Sequence, residues 1–279
     1  MRKNRGWKTA VLFVVLTLIG MVYIIPLLWT ASSAFRPAGS IYEYATPLTL
    51  ETFFPRKLTL ENFIHIFISE DFGLPLRNSF IVAATTIMFG AIVNSMAGFA
   101  LARFAFPGKG LVFVLVLITF MVPFESIVIP LYVLVEKMGL LNTYAALILP
   151  AVGNGLAVFL FRQFFAEVPK ELLEAGRADG ASWLRIYIQI LLPLSGPAIV
   201  TVMVMMFMFQ WNALFWPLVA AYSSRLQVVQ VAVASHRLTE ETHWAYLFSS
   251  ALAASLPPML LFLGLQRFYV QGISKSGLK

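Results

Sequence analysis

Six long apolar runs, separated by polar intervals, set the pattern of this chain. The first covers 10–31 and follows a basic start with Arg2, Lys3, Arg5 and Lys8. The others fall at 79–101, 111–134, 143–162, 196–220 and 245–265. Each comes close to the ~20 residues that an α-helix needs to cross a bilayer. The pattern predicts an all-α membrane protein of six transmembrane helices, with a short N-terminal segment, 1–9, and one transmembrane domain, 10–279. The apolar part of a secretory signal spans only about 7–15 residues, so the first run reads as an uncleaved span. Ala31-Ser32-Ser33-Ala34 has the look of a cleavage site, and removal of the run is the alternative.

The interval 166–195 departs most from this pattern, being charged and broken by turns. Pro169 suits a first helical turn, where its missing N–H is not needed. Leu172, Ala175, Gly176 and Asp179 then share one face at helical spacing. That face is mostly small, which predicts close approach by another backbone. Asp179-Gly180 signals a turn, because Gly accepts positive φ without steric cost. Ser182 can cap a second short helix, and Pro193 limits it. The expected product is a bent pair of helices between the fourth and fifth spans, shaped for docking rather than linking. The other long polar interval, 32–77, holds Pro37, Pro47 and Pro55 and one amphipathic helix candidate at 59–67. No internal repeat or low-complexity tract interrupts the chain.

Composition supports the membrane reading. The 279 residues are 59% hydrophobic and 12% charged, against about 25% charged in a soluble domain. The lipid bilayer is therefore the main solvent. The absence of cysteine excludes disulfides, thiol catalysis and cysteine metal sites. The formal charge of +7 does not point to nucleic acid, because the basic residues flank the spans. The intervals 1–9, 103–110, 162–195 and 266–279 hold four, two, four and three of the 20 Lys and Arg residues. The short loops on the other side hold only Lys137, Arg225 and Arg237. Basic residues gather on the cytoplasmic side, so both termini and the 166–195 loop are expected there.

No phosphate loop, dinucleotide fingerprint, zinc-helix motif or nucleophile elbow occurs. His236 and His243 read as solvated loop histidines without a carboxylate at ligand spacing. No catalytic residue, cofactor site or metal site is expected on this chain, so any ATP and Mg would act on a partner.

Several polar residues lie inside the apolar runs. Glu125, between Pro123 and Pro130, is the one charge away from a span end. A charge at membrane depth costs about 2.5–3.5 kcal/mol and should face a cavity or a partner. Glu125 thus lines a solute path, bonds backbone groups freed by the prolines, or lies nearer the outer surface. Asn94 sits on a stripe with Gly90 and Gly98, the pattern of close helix packing. Asn154, between Gly153 and Gly155, marks a kink, and both Asn94 and Asn154 are further candidates for the solute path. Trp211 and Asn212, with Trp216, could meet sugar faces and hydroxyls, or form an aromatic belt at the interface.

Motif order narrows the class. Glu174-Ala175-Gly176, then Gly180, then Ile190-x-Leu192-Pro193 resembles the cytoplasmic EAA loop of ABC-importer permease subunits. Gly98-Phe-Ala-Leu-Ala-Arg103, Gly139-Leu-Leu-Asn-Thr143, Arg162-Gln-Phe-Phe165, Trp216-Pro217-Leu218 and Gln271-Gly272-Ile-Ser274 are similar to the carbohydrate-uptake type, the smaller maltose-type permease. Gly176 replaces the usual second Ala and weakens a helix by roughly 1 kcal/mol. The resemblance implies a second permease subunit, two copies of a nucleotide-binding ATPase and an extracytoplasmic solute-binding protein. It implies that Glu174, Ala175, Gly176, Asp179, Gly180, Ala181, Leu192 and Pro193 couple transport to the ATPase. Without it, Glu174 and Arg177 would form an ordinary surface pair worth ~0.2–0.5 kcal/mol. It also gives the polar tail 271–279 a place near the ATPase pair, where composition alone suggests a disordered end. The competing class is an ATP-independent channel or ion-coupled carrier using Glu125, which leaves the 166–195 loop unexplained.

Overall fold

The computed structural model describes residues 3–41, 43, 49–238 and 243–276. Arg2 of the basic start, Pro47 and the last three residues of the tail lie outside the described residues. Among the described residues the regular structure is helical. The chain divides into two compact units, Met1–Gly73 with Ala232–Leu256 and Leu74–Val231 with Pro257–Lys279.

In the first unit, α1 (Lys3–Ala34) is apolar along most of its length. Most of its described side chains are exposed within this chain, as expected of a helix that faces lipid or another subunit. The polar segment after it packs on its end. Asn62 donates to the carbonyls of Ala34 at 3.0 Å and Arg36 at 2.7 Å. The 59–67 candidate forms one helical turn, Glu61–Ile64, and then a wider turn over His65–Ser69.

The second unit begins with α2 (Gly73–Arg103), followed by α3 (Lys109–Met121) and α4 (Phe124–Lys137). The run 111–134 is one span by hydropathy, but α3 and α4 meet at 101°. The cause is local. Pro123 has no N–H to continue α3, and it drives Val122 into an extended conformation (φ −75°, ψ 123°). Next come α5 (Tyr144–Val152) and α6 (Gly155–Glu167), bent by 40° at Gly153-Asn154, and then α7 (Lys170–Ala178). The next helix, α8 (Trp183–Leu194), turns through 84° at Ser195 into α9 (Gly196–Trp211). The run 196–220 is interrupted after Trp211, and its remainder is α10 (Phe215–Ala220). Two helices are divided between the units: α11 (Val229–Leu238) passes into the first at Ala232, and α12 (Trp244–Ser276) belongs to the first up to Leu256 and to the second from Pro257. The backbone of the tail is thus helical to Ser276 rather than irregular. Among the described residues three helices are long and apolar enough to cross a membrane, or up to six if each bent pair is one span.

One core of this unit gathers Phe99 of α2, Phe161 and Phe165 of α6, Leu173 of α7, Ile186, Tyr187 and Leu191 of α8, and Val202 and Met206 of α9. It seats α7 directly on the membrane helices. A second core joins Val82, Val128, Leu147, Trp216 and Val228. Nearby, Asn78 donates to the Arg225 and Gln227 carbonyls, both at 2.9 Å, and accepts from the Tyr144 hydroxyl at 2.6 Å.

Candidate functional site

The elbow formed by α7 and α8 is the best-formed candidate surface. Pro169 precedes α7 as its N-cap, with φ −55° and ψ 135°. Leu173 and Gly176 face the protein, while Leu172, Glu174, Ala175 and Asp179 are exposed. This corrects the expected face by one position. Gly176 is the inner residue, and the exposed face belongs to Leu172, Ala175 and Asp179. The reason is contact. A Cβ on Gly176 would lie 2.9 Å from Ile190 Cδ1 and 3.4 Å from Ile186 Cγ1. The missing methyl lets α7 press onto α8.

The turn out of α7 closes the orphan carbonyls of a helix end. Gly180 N–H donates to Arg177 O and Ala181 N–H to Gly176 O, both at 3.0 Å, with Gly180 at φ +80°. This is the paired closure that favours glycine in the left-handed position. Ser182 Oγ then accepts from Arg185 N–H at 3.2 Å to start α8. The Arg177 guanidinium donates to Ala181 O at 2.7 Å and lies 5.2 Å from the Trp183 ring centroid. Arg177 therefore braces the turn instead of pairing with Glu174. Leu192 is half-buried and Pro193 exposed near the end of α8. Sequence reading missed Arg103. Its guanidinium donates to the carbonyls of Phe165 and Val168, fixing the approach to α7 from the end of α2. A basic residue in the last turn of a helix was the available signal.

The path candidates separate into two kinds. Asn94 is 1% exposed. Its Nδ2 donates to Val152 O at 2.8 Å and Gly90 O at 2.7 Å, and its Oδ1 accepts from Asn154 N–H at 2.9 Å. Asn154 Oδ1 accepts from Ala157 N–H at 2.9 Å and caps α6. The Asn94 side chain thus grips the Asn154 backbone while the Asn154 side chain caps α6, and together they hold the α5–α6 break. Trp211 is buried, stacked on Phe207 at 5.2 Å and edge-on to Phe80 at 4.9 Å. Trp216 is buried too and donates to Ala146 O at 2.8 Å, so it packs inside rather than at an interface. Asn212 is exposed at the end of α9, with Gln230 Nε2 3.5 Å from its Oδ1. Glu125 is exposed in the first turn of α4, where a carboxylate favours the helix dipole. It starts a helix and is not held inside one.

Of the two histidines read as solvated, His243 is exposed and outside the helices, as expected, and His236 is not. His236 is buried in α11, with Nε2 3.4 Å from Glu70 Oε2. The other carboxylate oxygen of Glu70 lies 3.3 Å from His65 Nε2, and the His65 ring stacks on Tyr246 at 4.1 Å. Desolvation holds His236 below its ordinary pKa, opposed by the Glu70 charge and aided by His243 and His65. Among the described residues no three His, Cys, Asp or Glu side chains are placed to hold a metal ion.

Known proteins place the chain in context. Residues 94–275 match the family described as "Binding-protein-dependent transport system inner membrane component". The arabinooligosaccharides transport system permease protein AraQ of Halalkalibacterium halodurans is 33% identical over 262 residues, covering 94% of this chain and 93% of the relative. The sn-glycerol-3-phosphate transport system permease protein UgpE of Salmonella typhi is 33% identical over 284 residues, covering 99% of each. The fold is shared with a crystal structure of a bacterial ABC transporter involved in import of the acidic polysaccharide alginate. That match has a TM-score of 0.82 at 16% identity, over 96% of this chain and 98% of that one. A second alginate ABC transporter structure, in complex with an alginate pentasaccharide-bound periplasmic protein, matches with a TM-score of 0.65 at 15% identity, over 93% and 94%. The chain belongs to the binding-protein-dependent transport inner membrane family and is a permease subunit of such a system.

Proposed function

We propose that this permease carries a sugar or related polyol across the cytoplasmic membrane within an ABC importer, driven by ATP and Mg on partner subunits. It crosses the bilayer six times with both termini in the cytoplasm. It pairs with a second, different permease chain. Two copies of a nucleotide-binding ATPase bind from the cytoplasm, and an extracytoplasmic solute-binding protein delivers the cargo. Closure of the ATPase pair rocks the helices and opens the path outward, a rigid-body switch biased by ligand.

The build of α7 carries this reading. The helix is backed by Leu173 and Gly176 and ended by the Gly180 turn, and its exposed face includes Leu172, 45% exposed. Glu174, Ala175 and Asp179 on that face meet the ATPase. Gly176, Gly180, Ala181, Leu192 and Pro193 hold its shape. Asn212 and Glu125 keep exposed polar groups for the solute path, while Asn94, Asn154 and Trp211 shape it by packing. The relatives named for arabinooligosaccharides and sn-glycerol 3-phosphate support the solute class.

The test is a mild-detergent pull-down of the tagged chain from its own membrane. A second permease and an active ATPase should co-purify. Gly180→Asp forces a side chain into φ +80° and adds charge beside the docking face. It should leave the chain in the membrane and cut uptake per ATP by about fivefold or more. A chain that purifies alone and moves solute in liposomes without ATP would overturn the reading in favour of a carrier or channel.

A further inference from the structure

The geometry points to the Tyr187 hydroxyl as the positioning group that passes movement of α7 to the helix break at Gly153-Asn154. This rests on the coupling role proposed for α7. Tyr187 is 7% exposed, and its ring stacks on Phe99 at 5.5 Å. Its hydroxyl lies 2.6 Å from Ser95 Oγ in the last third of α2. Ser95 Oγ also faces the carbonyls of Ala91 and, at 3.1 Å, Ile92. Both are acceptors, and serine has one hydroxyl proton. That proton is committed to its own helix, so Tyr187 is the donor and the bond has a fixed direction.

Each end of this bond leads to a moving part. On one side, Tyr187 opens the wider turn Tyr187–Leu191, and its neighbours Ile186 and Ile190 are the residues against which Gly176 of α7 presses. Such wide turns recur at functional positions. On the other side, Ser95 adjoins Asn94, which grips Val152 O before the α5–α6 break and Asn154 N–H within it. Contact is therefore continuous from α7 through α8 and α2 to the break. Apolar contacts alone let helices slide in a bilayer, because lipid competes equally for apolar surface. A buried hydroxyl pair resists sliding, because displacement leaves polar atoms without partners. Tyr187 is thus the point at which α8 grips α2.

The chain has no cysteine, so nitroxides on Ile92→Cys and Leu149→Cys can report movement of α2 against α5. The complex with its co-purified ATPase, in lipid nanodiscs, is measured with and without Mg-ATP and vanadate, and ATP hydrolysis is assayed alongside. Nucleotide should shift the label distances in the otherwise unaltered protein. Tyr187→Phe should keep the ATPase bound and hydrolysis unchanged, but lose the shifted population by about fivefold or more. Ser95→Ala should reproduce that loss, Ser95→Thr should restore the shift, and the Tyr187→Phe/Ser95→Ala double variant should be no worse than either single. If Tyr187→Phe does not assemble, the two Ser95 variants carry the test with the tyrosine intact. A full shift in Tyr187→Phe or Ser95→Ala, an additive double variant, or no shift in the parent overturns the inference. Failure of the ATPase to co-purify with the parent instead overturns the coupling role of α7. Loss of coupling in Gly180→Asp with none in Tyr187→Phe leaves that role standing and removes the relay.

Discussion

Between α3 and α4 the chain turns through 101°, and between α5 and α6 through 40°. At the sharper corner the backbone is closed by local means. Val122 N–H returns to Ile118 O at 3.2 Å, Pro123 has no N–H to place, and Ser126 N–H reaches Pro123 O at 3.0 Å. Met121, Val122, Pro123 and Glu125 are all exposed. At the shallower break the polar groups are met from another helix, by the Asn94 amide. Gly155 there lies so close to α3 that a Cβ would be 2.7 Å from Val116 O. Sharpness of bend is thus a poor guide to sensitivity. The local corner depends on one proline, while the remote break depends on the positions of several helices.

Removing Asn94 strikes hardest at this contrast. Asn94→Ala leaves Val152 O and Asn154 N–H unpaired in an apolar setting and should cost about 2–4 kcal/mol. Glu125→Gln at the exposed corner should change stability by about 0.5 kcal/mol or less. Thermal unfolding of both variants in detergent checks the pair, and equal losses would erase the distinction. Gly155→Ala places a methyl 2.2 Å from Thr119 Oγ1 as well as against Val116 O, and should cost about 1–3 kcal/mol. Gly153→Ala meets nothing within 4 Å and should be neutral by the same assay.

Acid sharpens the comparison further, because the amide lock has nothing to titrate. His236 is held below its ordinary value by burial, so the unfolded chain binds that proton at a higher pH than the folded one. Its contribution is complete above about pH 6.5 and is lost as pH falls from there towards the folded value. Melting temperature should therefore drop on mild acidification, with no effect at neutral pH, and His236→Gln should flatten that dependence. An unaltered acid response in His236→Gln would assign it to other groups.

The parts legible in the sequence were those written locally. Gly153-Asn154-Gly155 announced its break, the Gly90, Asn94 and Gly98 stripe its close packing, and Asp179-Gly180 its turn. The α3–α4 corner was hidden because an apolar run carries no direction, and Pro123 alone does not say how far the chain swings. The inward face of α7 was misread because small residues occupy two adjacent faces, and only contact with Ile186 and Ile190 decides which turns in. His236 read as a solvated loop residue because Glu70 and Tyr246, which bury it, come from separate segments of the chain.

The Asn94 amide also bears on how the chain is made. Its partners at Val152 and Asn154 are 58 and 60 residues further along. Both are therefore made after α2. The Asn94 Nδ2 nevertheless has the Gly90 carbonyl within its own helix at 2.7 Å. One Nδ2 hydrogen can therefore be satisfied by α2 alone, and the other, with the Asn94 oxygen, gains its partner when α5 and α6 arrive. Assembly order is thereby built into one side chain, which serves its own helix first and its neighbour afterwards.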